Sequence, residues 1–106
     1  MKRGEVYIAD LYPLEKHDYD KKRPVVIVSN NKACEVSPVI AVIPISTQPR
    51  EHKLPTHIEL RGLGIAHCEN ILTVDREILI HSINELTDEE MLRINKGLLV
   101  QLGLII

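Results

Sequence analysis

The sequence predicts a mainly β fold, in which short strands form a small barrel or a curved antiparallel sheet and one helix follows at the C-terminal end. Apolar runs rich in Val and Ile recur between polar turns. No helical pattern separates these runs, so parallel β–α–β units are disfavoured. The length of 106 residues suits one domain, residues 1–106, with a single core.

The strand predictions rest on short apolar runs that end at polar or turn-forming residues. Pro24 is the first residue of its apolar run, where no backbone N–H has to donate to a neighbouring strand. Pro44 lies inside its run and indicates an edge strand or a bulge. The predicted strands are Val6–Leu11, Pro24–Val28, Val39–Ile45, His57–Leu60, Asn70–Val74 and Ile78–Ile83.

The C-terminal segment predicts a helix that packs on the sheet. Thr87 and Glu90 have the spacing of a capping box, and the acidic residues of the first turn suit the positive end of the helix dipole. Apolar residues then recur at steps of three and four, and Gly103 marks a stop. The predicted buried face consists of Met91, Ile94, Leu98 and Leu102.

Composition indicates a folded protein of a reducing compartment. Hydrophobic residues make up 44% and charged residues 26%, which excludes a disordered chain. Phe and Trp are absent, so the core must consist of Ile, Val and Leu. Cys34 and Cys68 have neither a disulfide nor a zinc spacing. No signal peptide or membrane span is expected, which predicts a cytoplasmic protein.

The net charge of −2 is unevenly distributed along the chain. Residues 1–61 contain ten Lys or Arg against eight Asp or Glu, and residues 62–106 contain three against seven. A positive first half could bind phosphate or an acidic partner, although ordinary surface variation would also explain the difference.

Arg23 is the first candidate for chemistry, because a residue before proline is held extended and its side chain leaves the strand in a fixed direction. Its guanidinium fits a phosphate and stays charged. A surface ion pair with Asp18 or Asp20 is the alternative.

Ser46, Thr47 and His17 are further candidates. Ser46 and Thr47 end a strand, where hydroxyls can bind a phosphate oxygen or cap a turn. His17 lies in a charged loop and could carry a proton at neutral pH.

The sequence predicts neither a metal site nor a cofactor. His67, Cys68 and Glu69 could form a cluster with His52 and His57, but adjacent residues of a strand point to opposite faces, so His67 and Cys68 cannot easily share an ion. Glycine-rich phosphate loops and a nucleophile elbow are missing from the sequence.

The order of several short motifs resembles the MazF/PemK family of toxins. These motifs are "KRGEVYIADLYP", "RPVVIVSN", "SP" before an apolar strand, "PTHIEL", "ENILTVD" and a terminal "LGL". The resemblance implies a dimeric SH3-like barrel of the CcdB/MazF type with a C-terminal helix. It also implies a toxin that arrests growth by cutting single-stranded mRNA at specific sequences without a metal. A cognate antitoxin would neutralise it and bind DNA with it.

The resemblance implies roles for individual residues. Arg23 matches the principal catalytic arginine, and Ser46, with Thr47 beside it, matches the hydroxyl residue at the end of the third strand. His17 and Glu69 match the proton carriers of PemK-type members. His67 stands where those members have an arginine. The implied RNA contacts are Tyr19, Lys21, Lys22, Gln48, Arg50, Lys53 and His67.

These residues suit cleavage of RNA by its own 2′-hydroxyl, which needs a base, an acid and positive charge at the phosphorane. Three departures from the family bear on specificity and activity: the loop Asp20-Lys21-Lys22 lacks glycine, Leu72 replaces a frequent arginine, and position 46 is Ser rather than Thr.

Two other functional classes are compatible with such a fold. CcdB-like toxins share it and poison gyrase by protein contact, and a catalytically silent SH3-like module would bind only a partner. Arg23 with Ser46 and Thr47 argues for the nuclease. The positive loops also predict that RNA and an acidic, disordered antitoxin segment share one groove.

Overall fold

The computed structural model describes residues 1–11, 22–47 and 54–106. Within them, seven strands and two α-helices alternate with turns and one short 3-10 helix, Arg76–Ile78. The strands are β1 (Glu5–Asp10), β2 (Lys22–Ile27), β3 (Val39–Ser46), β4 (His57–Leu60), β5 (Gly64–His67), β6 (Leu72–Asp75) and β7 (Leu79–Glu85); the helices are α1 (Asn31–Val36) and α2 (Asp88–Gln101).

The strands form one antiparallel sheet in the order β4-β5-β3-β2-β1-β7, and β6 pairs with β3. The predicted class, a curved antiparallel sheet with a C-terminal helix, is therefore confirmed. In the part of the chain that the structure describes, the sheet is open, with β4 and β7 at its two ends, rather than closed into a barrel.

Strand β3 lies in the middle of the sheet, so the prediction that Pro44 marks an edge or a bulge is wrong. One edge of β3 pairs with β2. Its other edge pairs with β6 up to Val42 and with β5 from Ile45 onward. Pro44 lies where this second edge changes partner, and there a missing N–H removes little from the ladder.

The two faces of the sheet bury separate apolar clusters. Val26 and Ile43 pack with Ile94 of α2 on one face. Val25 and Ile27 pack with Cys34 of α1 on the other. Because side chains alternate along a strand, the central strands contribute to both clusters. The core is aliphatic, as the composition predicts, and both cysteines are buried and free.

Helix α2 begins as predicted. The Thr87 hydroxyl accepts a hydrogen bond from the Glu90 amide at 3.1 Å, and the Glu90 carboxylate accepts one from the Thr87 amide at 2.9 Å. Met91, Ile94 and Leu98 pack on the sheet. Leu102 does not, because it lies just past the last helical residue, and 61% of it is exposed. No helix in the described ranges is long and apolar enough to span a membrane.

Two elements are absent from the sequence-based prediction. Helix α1 interrupts the run of strands; its six residues are too few to show a helical period, and Asn30 caps it by accepting from the Ala33 amide at 2.8 Å. Arg76 binds the carbonyls at its other end. Strand β5 has only four residues and follows a glycine turn, so its sequence is dominated by turn signals.

Gly97 is the point of closest approach between α2 and the sheet. A Cβ at Gly97 would lie 2.7 Å from Cys68 Sγ and 3.2 Å from Cys68 Cβ. Both residues are buried, so neither side can move away easily. A side chain at position 97 would therefore lift the helix from the sheet.

We expect Gly97→Ala to lower the free energy of unfolding by about 1–3 kcal/mol, because overpacking outweighs the helix-propensity gain of about 1 kcal/mol. Urea unfolding of the purified protein measures this. Lys96→Ala, at the exposed neighbouring position, is the control and should change stability by less than about 0.5 kcal/mol. A Gly97→Ala protein more stable than the wild type would contradict the close approach.

Candidate active site

The register of β2 and β3 brings Arg23 and Ser46 to the same end of the sheet. Val25 pairs with Pro44 and Ile27 with Val42. Continuing this antiparallel register by two residues sets Arg23 opposite Ser46. Paired residues project to the same face, and their strands lie about 4.8 Å apart. A guanidinium and a hydroxyl, each a candidate phosphate ligand in the sequence analysis, thus share one face at the C-terminal end of β3.

Strand β5 adds imidazole groups to that face. Ser46 pairs with Ile65, so His67, two residues further along β5, projects to the same side. His57 of β4 is the direct partner of His67, and their ring centroids lie 4.7 Å apart in an edge-to-face arrangement. Helix α2 packs on the opposite face, where Ala66 and Cys68 are buried. The face with Arg23, Ser46, His67 and His57 is therefore the one that α2 leaves uncovered.

The hairpin between β4 and β5 holds Ser46 in place from one side. Gly64 adopts a φ of +125°, which residues with a side chain rarely reach, and a Cβ there would collide with the carbonyl oxygen of Ser46. Only glycine allows the hairpin backbone to approach β3 this closely. The position of Ser46 thus depends on Gly64, which has no side chain.

Glu69 is the centre of a hydrogen-bonded cluster at the end of β5. Its Oε2 lies 2.8 Å from His57 Nε2 and 3.1 Å from His67 Nδ1, and its Oε1 accepts from the Thr56 hydroxyl at 3.0 Å. Thr56 and His67 are buried, and the Glu69 side chain is 30% exposed. One carboxylate therefore connects two histidines of neighbouring strands.

The surroundings of Glu69 stabilise its ionised form. Burial alone would raise the pKa of this carboxyl group. Hydrogen bonds from its own backbone amide and from His67, His57 and Thr56 outweigh burial and leave the pKa below its usual value. Glu69 is therefore a carboxylate at neutral pH, suited to accept hydrogen bonds or a proton rather than to act as the acid.

The same cluster contains a set of groups that could hold a metal ion. Ligand atoms of His57, His67 and Glu69 lie within 4.8 Å of one another, and two histidines with one glutamate are a ligand set that zinc accepts. His67 and Cys68 diverge as predicted, because Cys68 lies in the core beneath α2. Glu69 and His57 nevertheless converge on His67.

Thr47 lies apart from this cluster, on an open groove of about 700 Å³ at the β4–β5 hairpin. Arg61 and Arg93 contribute to the wall of the groove, and Arg93 donates to the Glu59 carbonyl at 2.9 Å. The groove adjoins the Ser46 end of β3 and presents two guanidinium groups. Its wall contains two arginines and one glutamate, Glu59, so the groove is weakly positive, a charge that favours phosphate.

Several predicted site residues lie outside the described residues. They are His17, Tyr19, Lys21, Gln48, Arg50 and Lys53. Lys22 is exposed at the start of β2. The described candidates Arg23, Ser46, Glu69 and His67 belong to one face or to the cluster at its margin, and their predicted roles stay predictions.

Sequence reasoning missed His57, Thr56, Arg61 and Arg93 as members of the site. The sequence suggests His57 only as a possible metal ligand on the predicted strand "HIEL". Its pairing with His67 depends on the hairpin of β4 with β5, and the sequence pattern does not predict β5. A prediction of that hairpin from Gly62 and Gly64 would have aligned the two histidines.

Fold and site together define a class: an open antiparallel sheet closed on one face by a C-terminal helix, with cationic, hydroxyl, imidazole and carboxylate groups gathered on the other. Over residues 2–102 the chain matches the family of PemK-like, MazF-like toxins of type II toxin-antitoxin systems. The chain belongs to this family, and the family and class predicted from the sequence are confirmed.

The similar proteins found by sequence and by structure are endoribonucleases or MazF proteins. The chain is 32% identical to the endoribonuclease MazF of Staphylococcus saprophyticus, over 98% of this chain and 92% of that protein. It superposes with a TM-score of 0.85 on a mycobacterial endoribonuclease solved in complex with its cognate antitoxin, at 27% identity over 100% of this chain and 98% of the other. MazF from Deinococcus radiodurans, 15% identical, covers 97% of this chain and 96% of its own with a TM-score of 0.82, which shows the shared fold.

We expect Glu69→Gln to lower the free energy of unfolding by about 1–3 kcal/mol at neutral pH, since it weakens three hydrogen bonds to a charged acceptor. Because the folded-state pKa of Glu69 is lowered, its contribution is fully present above the unfolded value of about 4.5 and is lost as the pH falls through the folded value. The difference between wild type and variant should therefore shrink as the pH falls below about 4.5.

Urea unfolding at a series of pH values measures this difference. Glu35→Gln, at an exposed carboxylate on α1, is the matched control and should change stability by less than about 0.5 kcal/mol at any pH. A Glu69→Gln difference that stays constant down to about pH 3 would show that ionisation of Glu69 does not stabilise the fold.

Proposed function

We propose that the chain is a toxin that cleaves single-stranded mRNA at specific sequences without a metal, by attack of the RNA's own 2′-hydroxyl. The observation that carries this proposal is the shared face of Arg23, Ser46 and the His67–Glu69 pair in a member of a toxin family whose similar relatives are endoribonucleases. Growth arrest follows from loss of translated message, and the toxin would act in the cytoplasm.

The reaction requires positive charge where the phosphorane forms and groups that move protons at the 2′- and 5′-oxygens. Arg23 supplies the charge, and its fork of donors can hold two phosphate oxygens. Ser46 and Thr47 bind the phosphate through their hydroxyls. His17 and Glu69 are the proton carriers that family resemblance assigns. Dependence on a 2′-hydroxyl makes the enzyme specific for RNA over DNA.

RNA binding uses positively charged loop residues and the groove beside Thr47. Lys21, Lys22, Arg50 and Lys53 follow the RNA backbone, together with the arginines of the groove beside Thr47. Tyr19 and Gln48 contact bases, since an aromatic ring can stack on any base and an amide can bind a base edge.

The toxin acts as a homodimer and is inhibited by a cognate antitoxin with an acidic, disordered segment. Large apolar residues are exposed along β7, at Ile80 and Ile83, and beyond α2, at Leu104 and Ile105, which is the kind of surface that a protein interface covers. The mycobacterial relative was solved with its antitoxin, so the fold accommodates such a partner.

Cleavage is expected to proceed in excess EDTA and to leave a 2′,3′-cyclic phosphate and a 5′-hydroxyl. Arg23→Ala should lower kcat/KM by about 100-fold or more, because it removes charge from the transition state. Gel and mass analysis of a defined RNA measures both. Arg23→Lys, which keeps the charge but not the fork, is the matched variant and should lose less. Activity that requires a divalent ion, or full activity in folded Arg23→Ala, would refute the mechanism.

RNA and the antitoxin's acidic segment are expected to compete for one positive surface. An antitoxin peptide should displace a labelled, non-cleavable RNA, with both affinities falling as salt rises. Lys21→Glu with Lys22→Glu should weaken both ligands. Fluorescence anisotropy on the folded dimer measures displacement. A ternary complex in which RNA keeps its full affinity would mean separate surfaces.

A further inference from the structure

Three side chains at the end of β5 converge on one point. His57 Nε2 and His67 Nδ1 both face the same atom, Glu69 Oε2, at 2.8 Å and 3.1 Å. Ligand atoms of the three residues all lie within 4.8 Å of one another. Imidazole and carboxylate groups are common zinc ligands in proteins. The mechanism proposed above uses Glu69 as a proton carrier and His67 as an RNA contact, and it leaves their convergence with His57 unexplained.

The spacing of these atoms suits a tetrahedral zinc ion. Zinc bonds of about 2.0–2.1 Å place two ligand atoms about 3.3–3.4 Å apart. The two nitrogen–oxygen distances here are 2.8 Å and 3.1 Å, so each has to lengthen by only a few tenths of an ångström. Two imidazoles on one such ion have ring centroids about 5 Å apart, and those of His57 and His67 are 4.7 Å apart. The present arrangement is therefore close to the geometry that zinc requires.

The backbone holds the two histidines in this position. His57 of β4 and His67 of β5 are direct partners in the antiparallel hairpin, so their side chains project to the same face. Glu69 lies in the turn just after β5 and reaches both rings. Side chains held by paired strands have little freedom left to lose when an ion binds. The hairpin is thus a preorganised frame for the three ligands.

Neighbouring groups orient the Glu69 carboxylate for an ion. The Thr56 hydroxyl donates to its Oε1 at 3.0 Å, which leaves Oε2 directed at the two rings. Such hydrogen bonds orient a ligating carboxylate and strengthen metal binding. The side chains of His57 and His67 are only 6% and 7% exposed, whereas that of Glu69 is 30% exposed. An ion would therefore enter past Glu69, and its fourth position would face solvent and take a water molecule.

A ring nitrogen that binds zinc carries no hydrogen, so the hydrogen of a neutral imidazole moves to the other nitrogen. For His67, no donor opposes this move, because Nε2 has no hydrogen-bond partner in the part of the chain that the structure describes. For His57, the hydrogen would move to Nδ1, which faces the Leu54 amide at 3.3 Å. Zinc would thus displace one long hydrogen bond, and Leu54 is half exposed just before a turn, where the backbone can adjust.

The ligand set favours zinc over the hard divalent cations. Magnesium and calcium take oxygen ligands, and two of the three ligands here are imidazole nitrogens. Zinc accepts two imidazoles and a carboxylate, with water in the fourth position. Cys68 lies next to His67 in the sequence, but its side chain is in the core beneath α2. The cluster therefore offers zinc a nitrogen and oxygen environment without a thiolate.

We propose that His57, His67 and Glu69 form a zinc-binding site, and that zinc bound there inhibits the cleavage of RNA. The inhibition rests on the proposed endoribonuclease function, whereas the binding of zinc does not. A carboxylate that coordinates zinc has its lone pair engaged by the ion, so Glu69 could no longer carry a proton. Zinc on Nδ1 would also hold His67 away from RNA. Zinc would thus be a reversible inhibitor of the toxin.

The first test measures zinc binding to the metal-free, intact protein by calorimetry, with a chromophoric chelator as competitor. One zinc ion per chain is expected, with micromolar or tighter affinity. His57→Gln and Glu69→Gln should each lower the affinity by about 100-fold or more, because each removes one of three ligands. His81→Gln, at an exposed histidine on β7, is the matched control and should bind zinc as the wild type does.

Cobalt gives a readout that needs no variant, should the substitutions prevent folding. Cobalt(II) can replace zinc, and its visible absorption is strong in a four-coordinate site and weak in a six-coordinate one. The wild type is expected to give the strong spectrum, and stoichiometric zinc should abolish it. A weak cobalt spectrum, no zinc binding, or equal affinity in the wild type and in folded Glu69→Gln would overturn the proposed site.

The second test measures cleavage of a defined RNA in EDTA and after zinc is added. At the zinc concentration that saturates the wild type, kcat/KM should fall by about 10-fold or more, and excess EDTA should restore it. His81→Gln should be inhibited to the same extent. His57→Gln should change by less than about 2-fold relative to its own activity in EDTA, because it lacks a zinc ligand. Magnesium at the same concentration should not inhibit.

The outcomes separate this proposal from the proposed function. If the wild type does not cleave RNA in EDTA, the proposed function and the inhibition are wrong, and the binding test alone decides the zinc site. If it cleaves and binds zinc at the cluster without losing activity, only the inhibition is wrong. If it cleaves only with zinc, both the metal-free mechanism and the inhibition are wrong.

Discussion

The pairing of β3 along both of its edges is the constraint on which the site depends. One edge joins β2, and the other joins β6 and then β5, so a single strand fixes the relative positions of three others. Arg23, Ser46 and His67 come from three separate strands, and none of them is near another in sequence. Their common face follows from the backbone pairing of these strands. A rigid ladder is a precise scaffold for such a site.

The two faces of the sheet differ in what covers them, and this difference decides where polar groups can collect. Helix α2 covers one face with an aliphatic interface so close that Gly97 meets Cys68. The other face is filled by apolar residues over part of its area and by polar ones at the end of β3. The candidate site groups are therefore found on the face that α2 does not cover, and the core remains apolar.

The hydrogen bonds of the Glu69 cluster stabilise the fold and also hold residues of the candidate site. A partly buried carboxylate would be unfavourable without donors, and here three side chains supply them. The same bonds orient Glu69 and connect it to both histidines. A substitution in the cluster would therefore change the stability of the fold as well as the groups that the proposed mechanism uses.

The sequence by itself determined the fold class, the six predicted strands within a few residues, the capped C-terminal helix and the family. Alternating apolar runs, the Thr87–Glu90 capping box and the order of motifs are local signals, and local signals can be read without a structure. The proline after Arg23 and the strand end at Ser46 singled out these two residues, and the family resemblance singled out Glu69. Local signals did not reveal α1 or β5, whose four to six residues are too short for a period to appear.

Only the tertiary structure decided how these residues meet. The central position of β3, the change of partner at Pro44 and the pairing of His57 with His67 all depend on which strands become neighbours. Neighbours are chosen by burial over the whole sheet, and no window of sequence contains that information. The contacts of Glu69 with His57 and His67 likewise exist only once β4 and β5 have paired.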